Sequence, residues 1–158
     1  MTIWVDADAC PRILKDVLCR AANRLQRPLI FVAHQALQIP ASPWIRRVQV
    51  EMGFDAADRY IIEQAQRGDL VITNDIPLAA EAIPKGASVI NTRGEELDKE
   101  NIRERLRVRN LMEEIRASGQ ITNGPPPLDN ADKARFANAL DRWLARNPGP
   151  TSPPPKMP

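Results

Sequence analysis

Cysteine and histidine are scarce: the 158-residue chain has two Cys and one His. Two cysteines exclude a disulfide framework. Cys10 and Cys19 fall on or beside one helical segment, and their nine-residue offset spans about 13.5 Å of helix, beyond the roughly 7 Å Cα limit of a disulfide. One histidine leaves a zinc centre short of ligands, so any metal here is expected to be hard and carboxylate-bound. Charge of one sign is not in excess either. Lys plus Arg number 22 against 20 Asp plus Glu, a formal charge of +2. That excludes a chain that coats nucleic acid by net charge and leaves only a local basic face open. No apolar run approaches the roughly 18 residues of a membrane helix. The start Met1-Thr2-Ile3-Trp4-Val5-Asp6 has neither the basic nor the apolar region of a signal peptide. Reduced thiols make the cytoplasm the expected compartment. What remains is ordinary for a soluble domain: 43% hydrophobic and 27% charged residues, in a length that suits one domain with its own core.

Short apolar runs alternate with helical periods over the first 90 residues. Ile3-Trp4-Val5 reads as a strand ending in Asp6. Pro11 suits the opening of a helix, and Ile13, Leu14, Val17, Leu18, Ala21, Ala22 and Leu25 follow at helical spacing until Pro28. Residues 29–33, 48–50, 70–73 and 87–90 are further strand candidates, with a loop over 35–46. A helix is expected over 56–67 between Asp55 and Gly68, and a short one after Pro77. This alternation predicts an α/β fold, a mostly parallel sheet between helical layers. Residues 97–146 form its helical C-terminal part. A charge-rich helix over 98–117 has Ile102, Leu106, Leu111, Met112 and Ile115 as its inner stripe. A Pro-rich linker spans Gly119 to Leu128, and a last amphipathic helix covers 130–146. Residues 1–146 thus read as a single domain. Residues 147–158, half of them Pro and none aromatic, are expected to be disordered.

Three acidic motifs carry candidate chemistry. Ligands of parallel sheets sit outside the carboxyl ends of the strands. In Val5-Asp6-Ala7-Asp8-Ala9-Cys10, Asp6 closes a buried strand and Asp8 follows two residues on. Two carboxylates there suit Mg²⁺ or Mn²⁺, while Asp8 serves equally as a helix cap. In Gly53-Phe54-Asp55-Ala56-Ala57-Asp58, the two acids share a helix face and repel unless a cation or a cap resolves them. In Leu70-Val71-Ile72-Thr73-Asn74-Asp75, a second buried strand runs into an acid, with Thr73 and Asn74 placed to bind phosphate or orient it, while Asp75 also suits an N-cap ahead of Pro77. Acids from distant segments that converge on one edge are costly without a cation and suit one or two divalent metals.

Basic candidates for phosphate contact are Arg12 and Lys15, one turn into the first helix, and Arg46-Arg47 just before a strand. Arg103, Arg105, Arg107 and Arg109 spread around a helix that Glu residues neutralise, so they read as a solvated face. His34 reads as a satisfied polar group at a strand end. Cys10 lies beside the acids without a base to pair with.

The motifs V-D-A-D-A-C-P, G-F-D-A-A-D and D-L-V-I-T-N-D-I-P-L-A-A, with a late N-G-P-P-P-L, resemble the bacterial YaiI/YqxD family over roughly residues 2–146. That family is in turn similar to PIN-like nucleases. The resemblance implies a parallel sheet between helices and an acidic cluster that binds Mg²⁺ or Mn²⁺ and cleaves RNA with metal-activated water. Asp6 matches the first-strand acid, Asp55 or Asp58 the helix acid, and Asp75 the acid of the T-N-D motif. PIN-like enzymes often carry a fourth acid after the next strand. Here that strand ends at Asn91, and Glu95 and Glu96 come late. The strand-D-x-D opening also resembles haloacid-dehalogenase-type phosphatases, with Asp6 as nucleophile and Asp8 as acid, although Lys85 is followed by no acidic pair.

The expected function is metal-dependent hydrolysis of phosphodiester bonds, RNA above all. Asp6, Asp55, Asp58 and Asp75 would be the metal acids and Asp8 a catalytic companion. The alternatives are a non-catalytic PIN-like module that binds RNA or protein, and a phosphatase using Asp6. No membrane partner is expected, and a homo-oligomer is compatible with the pattern but not indicated by it.

Overall fold

Alternation along the strands sets the architecture. In a computed structural model, residues 1–53, 55–119 and 127–148 are described. Six strands and five α-helices lie among them. The strands are β1 (Ile3–Asp6), β2 (Leu29–Ala33), β3 (Ile45–Gln49), β4 (Leu70–Ile72), β5 (Ser88–Ile90) and β6 (Glu96–Leu97). The helices are α1 (Arg12–Leu25), α2 (Ala56–Gln64), α3 (Ile76–Ala82), α4 (Ile102–Ala117) and α5 (Asn130–Arg146). They form one sheet of order β3-β2-β1-β4-β5-β6, parallel except for the β5–β6 pair.

Register carries each side-chain row across the sheet. Phe31, Val5, Ile72 and Ile90 lie side by side, and successive residues point to opposite faces. That row packs with Leu14 and Leu18 of α1 and with Phe136, Leu140 and Trp143 of α5. The next row, Ile30, Trp4, Val71 and Val89, packs against Ile61 of α2, Leu78 and Ala79 of α3, and Ile102 at the start of α4. The molecule is therefore a three-layer α/β fold with a buried sheet, as the alternating runs predict. Both faces are apolar, so the central strands read as continuous hydrophobic runs.

The chain winds outward from β1 through β2 to β3, then crosses back to place β4 on the other flank of β1. The carboxyl ends of β1 and β4 thus frame a topological switch point, where open α/β sheets bind their ligands.

Several expectations are corrected. β3 begins at Ile45, not Val48, so Arg46 and Arg47 lie inside the strand rather than before it. An edge strand with solvent on one side tolerates those charges. The helix expected over 56–67 stops at Gln64. The C-terminal helix expected from residue 98 begins only at Ile102, because Asp98 and Asn101 lock a turn ahead of it. Asp98 Oδ1 accepts from the Glu100 and Asn101 amides at 2.9 Å, and Asn101 Oδ1 accepts from the Asp98 amide at 2.9 Å. Of its expected inner stripe only Ile102 is buried, and Leu111 is 48% exposed. β6 lies where the sequence pattern predicts no strand. Most of the expected linker (residues 120–126) and of the expected disordered tail (149–158) lies outside the described residues.

The last helix is fastened to the rim of the sheet. Asp129 and Asp132 form a reciprocal capping box at the start of α5. The buried Asp132 carboxylate also accepts from Arg93 Nη1 at 2.8 Å. Gly94 lies flat against α5 in a left-handed conformation (φ +84°), where a Cβ would meet the Arg135 carbonyl at 2.6 Å. At the amino end of the strands, buried Asp69 gathers the Thr2 amide (2.9 Å), the Gln66 amide (2.9 Å) and the Trp4 indole (3.0 Å). No helix among the described residues is long and apolar enough to cross a membrane.

Candidate functional site

Asp6 is the last residue of β1 and is half-buried. Its carboxylate accepts from Thr73 Oγ1 at 3.1 Å, just past β4. The same Thr73 oxygen accepts from the Asp75 amide at 3.0 Å. Thr73 therefore ties the two strand ends together and fixes where both acids stand. Asp75 caps α3, with Oδ1 accepting from the Leu78 amide at 3.0 Å. Burial, opposed by the Thr73 hydroxyl and reinforced by the charges of Asp75 and Asp8, raises the Asp6 carboxyl above its ordinary value.

Asp58 joins this pair from the first turn of α2. Burial, a hydrogen bond to Asp75, and the charges of Asp75, Asp6 and Asp55 push its carboxyl up to about 7. Near neutral pH the Asp58 carboxyl therefore still holds its proton much of the time. Asp55 occupies the N-cap of α2 with a left-handed backbone (φ 63°), yet its side chain makes no capping hydrogen bond. The helix does not use that carboxylate, which instead lines a cleft of about 140 Å³ with Asp6, Asp8, His34 and Asp58.

Asp8 does not cap α1, which starts from Pro11 without a side-chain cap. Its Oδ2 accepts from the backbone amide of His34 at 3.0 Å and meets the ring Nδ1 at 2.9 Å. Partial burial works to raise the Asp8 carboxyl, but the hydrogen bonds from His34 and the Gln35 backbone outweigh it and hold the group below its ordinary value. His34 is the residue that local reading missed as part of this cleft. It directly follows β2, the parallel neighbour of β1, so its strand-end position at the same edge was the available signal.

The remaining candidates are distributed differently. Asn74 Oδ1 accepts from the Thr92 amide (3.0 Å) and hydroxyl (2.9 Å), which bonds the loop after β4 to the one after β5. Arg12 and Lys15 line a separate cavity of about 610 Å³ between α1 and residues 36–40. Arg46 and Arg47 occupy successive strand positions and so point to opposite faces. Arg46 lines a cavity of about 250 Å³ at the amino end of the sheet, with Thr2, Trp44 and Asp69. Arg47 donates to the Leu37 carbonyl. Asn91 follows β5 and accepts from the Arg93 and Glu95 amides at 3.0 Å, holding a turn. Cys10 is buried, and burial pushes its thiol up to about 12, a poor nucleophile.

The donors brought together are hard carboxylate oxygens, the chemistry of Mg²⁺ and Mn²⁺ sites. Among the described residues no three Asp, Glu, His or Cys side chains stand grouped to hold a metal ion. A cation here would be met by one or two carboxylates and complete its shell with water and phosphate oxygens, as Mg²⁺ commonly does.

Strand order defines a doubly wound α/β protein with acidic side chains at its switch point. The chain belongs to the YaiI/YqxD family, whose model, described as "Uncharacterized BCR, YaiI/YqxD family", matches residues 4–146. It is similar to a UPF0178 protein of Marinobacter nauticus, 58% identical over 147 residues, covering 93% of this chain and 98% of the relative. A UPF0178 protein of Hahella chejuensis is 55% identical over 146 residues, 92% and 97% of the two chains. The UPF0178 protein YaiI of Shigella flexneri is 54% identical over 143 residues, 90% and 94% of the two chains. No solved structure matches the chain.

Proposed function

We propose that this protein is a Mg²⁺- or Mn²⁺-dependent phosphodiester hydrolase acting on RNA in the cytoplasm. The observation that carries the reading is the meeting of Asp6, Asp58 and Asp75 at the switch point, with the Asp58 carboxyl pushed up to about 7. Mutually repelling acids are what a divalent cation relieves. Asp6 and Asp75 would hold the cation, with Asp58 and Asp55 reaching it through water, and phosphate oxygens completing its shell. When bound, it lowers the pKa of a water and neutralises charge on the phosphate. Thr73 keeps Asp6 aimed at the cleft, and the Leu78 amide keeps Asp75 in place. Arg12 and Lys15 line a cavity separate from the acids, and would serve a phosphate backbone only where it extends past the cleft.

The test is calorimetric titration with Mn²⁺ and Mg²⁺ of wild type and of the Asp6→Asn, Asp75→Asn double variant, followed by RNA cleavage. Saturable binding that the double variant loses, with cleavage that needs the metal and weakens steeply with salt, is the expected result. A folded wild type that binds no metal up to millimolar concentration, alone or with RNA, overturns the hydrolase reading in favour of a non-catalytic RNA-binding module.

A further inference from the structure

We propose that His34, oriented by Asp8, is the general base that takes the proton from the attacking water. The proposal rests on the hydrolase reading above and adds a residue that the acidic motifs do not contain. The geometry carries it. His34 shares the wall of the cleft with Asp6, Asp55 and Asp58. Its ring is 36% exposed, open enough to meet a water. Its backbone is pinned from two sides: the amide donates to Asp8 at 3.0 Å, and the carbonyl accepts from Gln49 Nε2 at 3.2 Å.

The tautomer follows from the partner. Asp8 Oδ2 already accepts the His34 amide proton, so it meets the ring as a carboxylate acceptor, and the ring nitrogen facing it at 2.9 Å is the one that carries hydrogen. Nδ1–H therefore donates to Asp8, and the neutral ring keeps a lone pair on Nε2. A carboxylate that fixes the tautomer and steadies the imidazolium formed on protonation is the orienting half of an Asp–His dyad.

In the step, Nε2 takes a proton from water while the water oxygen bonds to phosphorus. The phosphorus–oxygen bond to the leaving group then breaks. The leaving oxygen takes a proton from solvent, and the imidazolium returns its own to solvent. Atoms and charge balance with water as the sole co-reactant.

The chain has one histidine, so its imidazole gives a single, unambiguous set of ¹⁵N resonances. The expected spectrum has protonated Nδ1 and unprotonated Nε2 in the neutral ring, a preference that Asp8→Asn abolishes. In RNA cleavage with Mg²⁺, His34→Ala and His34→Gln should lower kcat by about 10²- to 10⁴-fold with KM unchanged. Mn²⁺ affinity by calorimetry should stay at the wild-type value. Added imidazole should restore part of the activity of His34→Ala, which a merely structural role would not allow. A wild-type ring protonated on Nε2, or a folded His34→Ala that cleaves like wild type, overturns the assignment and leaves the hydrolase reading standing. A wild type that binds metal but cleaves no phosphodiester overturns both.

Discussion

Replacing Asp58 with asparagine should stabilise the fold at pH 8 and flatten its pH dependence. Asp58 is raised from 3.8 to about 7 by burial, its hydrogen bond to Asp75 and the surrounding acids. In the folded chain it prefers to be protonated, whereas in the unfolded chain it ionises near its ordinary value. Its stabilising contribution is therefore complete below about pH 4 and is lost as pH rises through about 7. Three units at 1.36 kcal/mol each set a ceiling of about 4 kcal/mol. The side chain is only half-buried and solvent screens it, which brings the expected loss to about 1–2 kcal/mol. Asp6 is raised as well and adds in the same direction. Asp8 is lowered, so its contribution is present at neutral pH and lost only as pH falls through that lowered value, outside this window. Urea unfolding at pH 5 and pH 8 reads the effect. Wild type should be less stable at pH 8 than at pH 5 by about 1 kcal/mol, since part of the loss already falls below pH 5, with a smaller loss in Asp58→Asn. Mn²⁺ at pH 8 should return stability to wild type by mass action and less to the variant. Identical pH slopes for the two proteins would refute the argument that like charges are held together at this edge.

Three further outcomes follow from the packing. Gly94→Ala should cost about 2 kcal/mol or more in urea unfolding, since the new Cβ meets the α5 backbone at 2.6 Å in a left-handed conformation; a cost under about 0.5 kcal/mol would contradict that contact. Asp69→Ala should cost about 2–4 kcal/mol, because it leaves three donors, the Thr2 and Gln66 amides and the Trp4 indole, without their acceptor, and a neutral outcome would show that water replaces it. An alkylating reagent followed by mass spectrometry should modify half-buried Cys19 first and reach buried Cys10, whose thiol is pushed up to about 12, only on unfolding; modification of Cys10 first would mean that the turn after Asp8 opens.

The layered α/β fold could be read from the chain because its signals are local. Ile3-Trp4-Val5, residues 29–33 and residues 70–72 are apolar runs bounded by polar or turn residues, and buried parallel strands look like that. Asp6 and Asp75 could be placed at one edge for the same reason: each closes such a run. Signals failed where the deciding partner is remote. The spacing of Leu106, Leu111 and Ile115 defines a helix face, but not whether anything covers it, and Leu111 stands exposed. The Asp8–His34 bond joins residues 26 apart, so only the strand-end position of His34, and no local pattern around either residue, points to it. Arg46-Arg47 masked the start of β3, because two adjacent charges read as loop until the strand is known to lie at an edge.

The fastening of α5 also governs how the chain can assemble. One side of the sheet is covered by the first helix and the last: Arg24 reaches Asp141, and Arg27 reaches the Leu144 carbonyl, each across 117 residues of sequence. During synthesis, Val5, Phe31 and Ile72 emerge long before Phe136 and Leu140 exist to cover them. The nascent protein must carry a half-clad sheet until translation has passed residue 146. Contacts of such long sequence separation make folding slow, and an exposed apolar face in the meantime is what holdase chaperones bind. Ribosomal arrest between residues 90 and 130 should therefore yield a chain that is protease-sensitive and chaperone-bound, and release beyond α5 should close the second layer in one cooperative step.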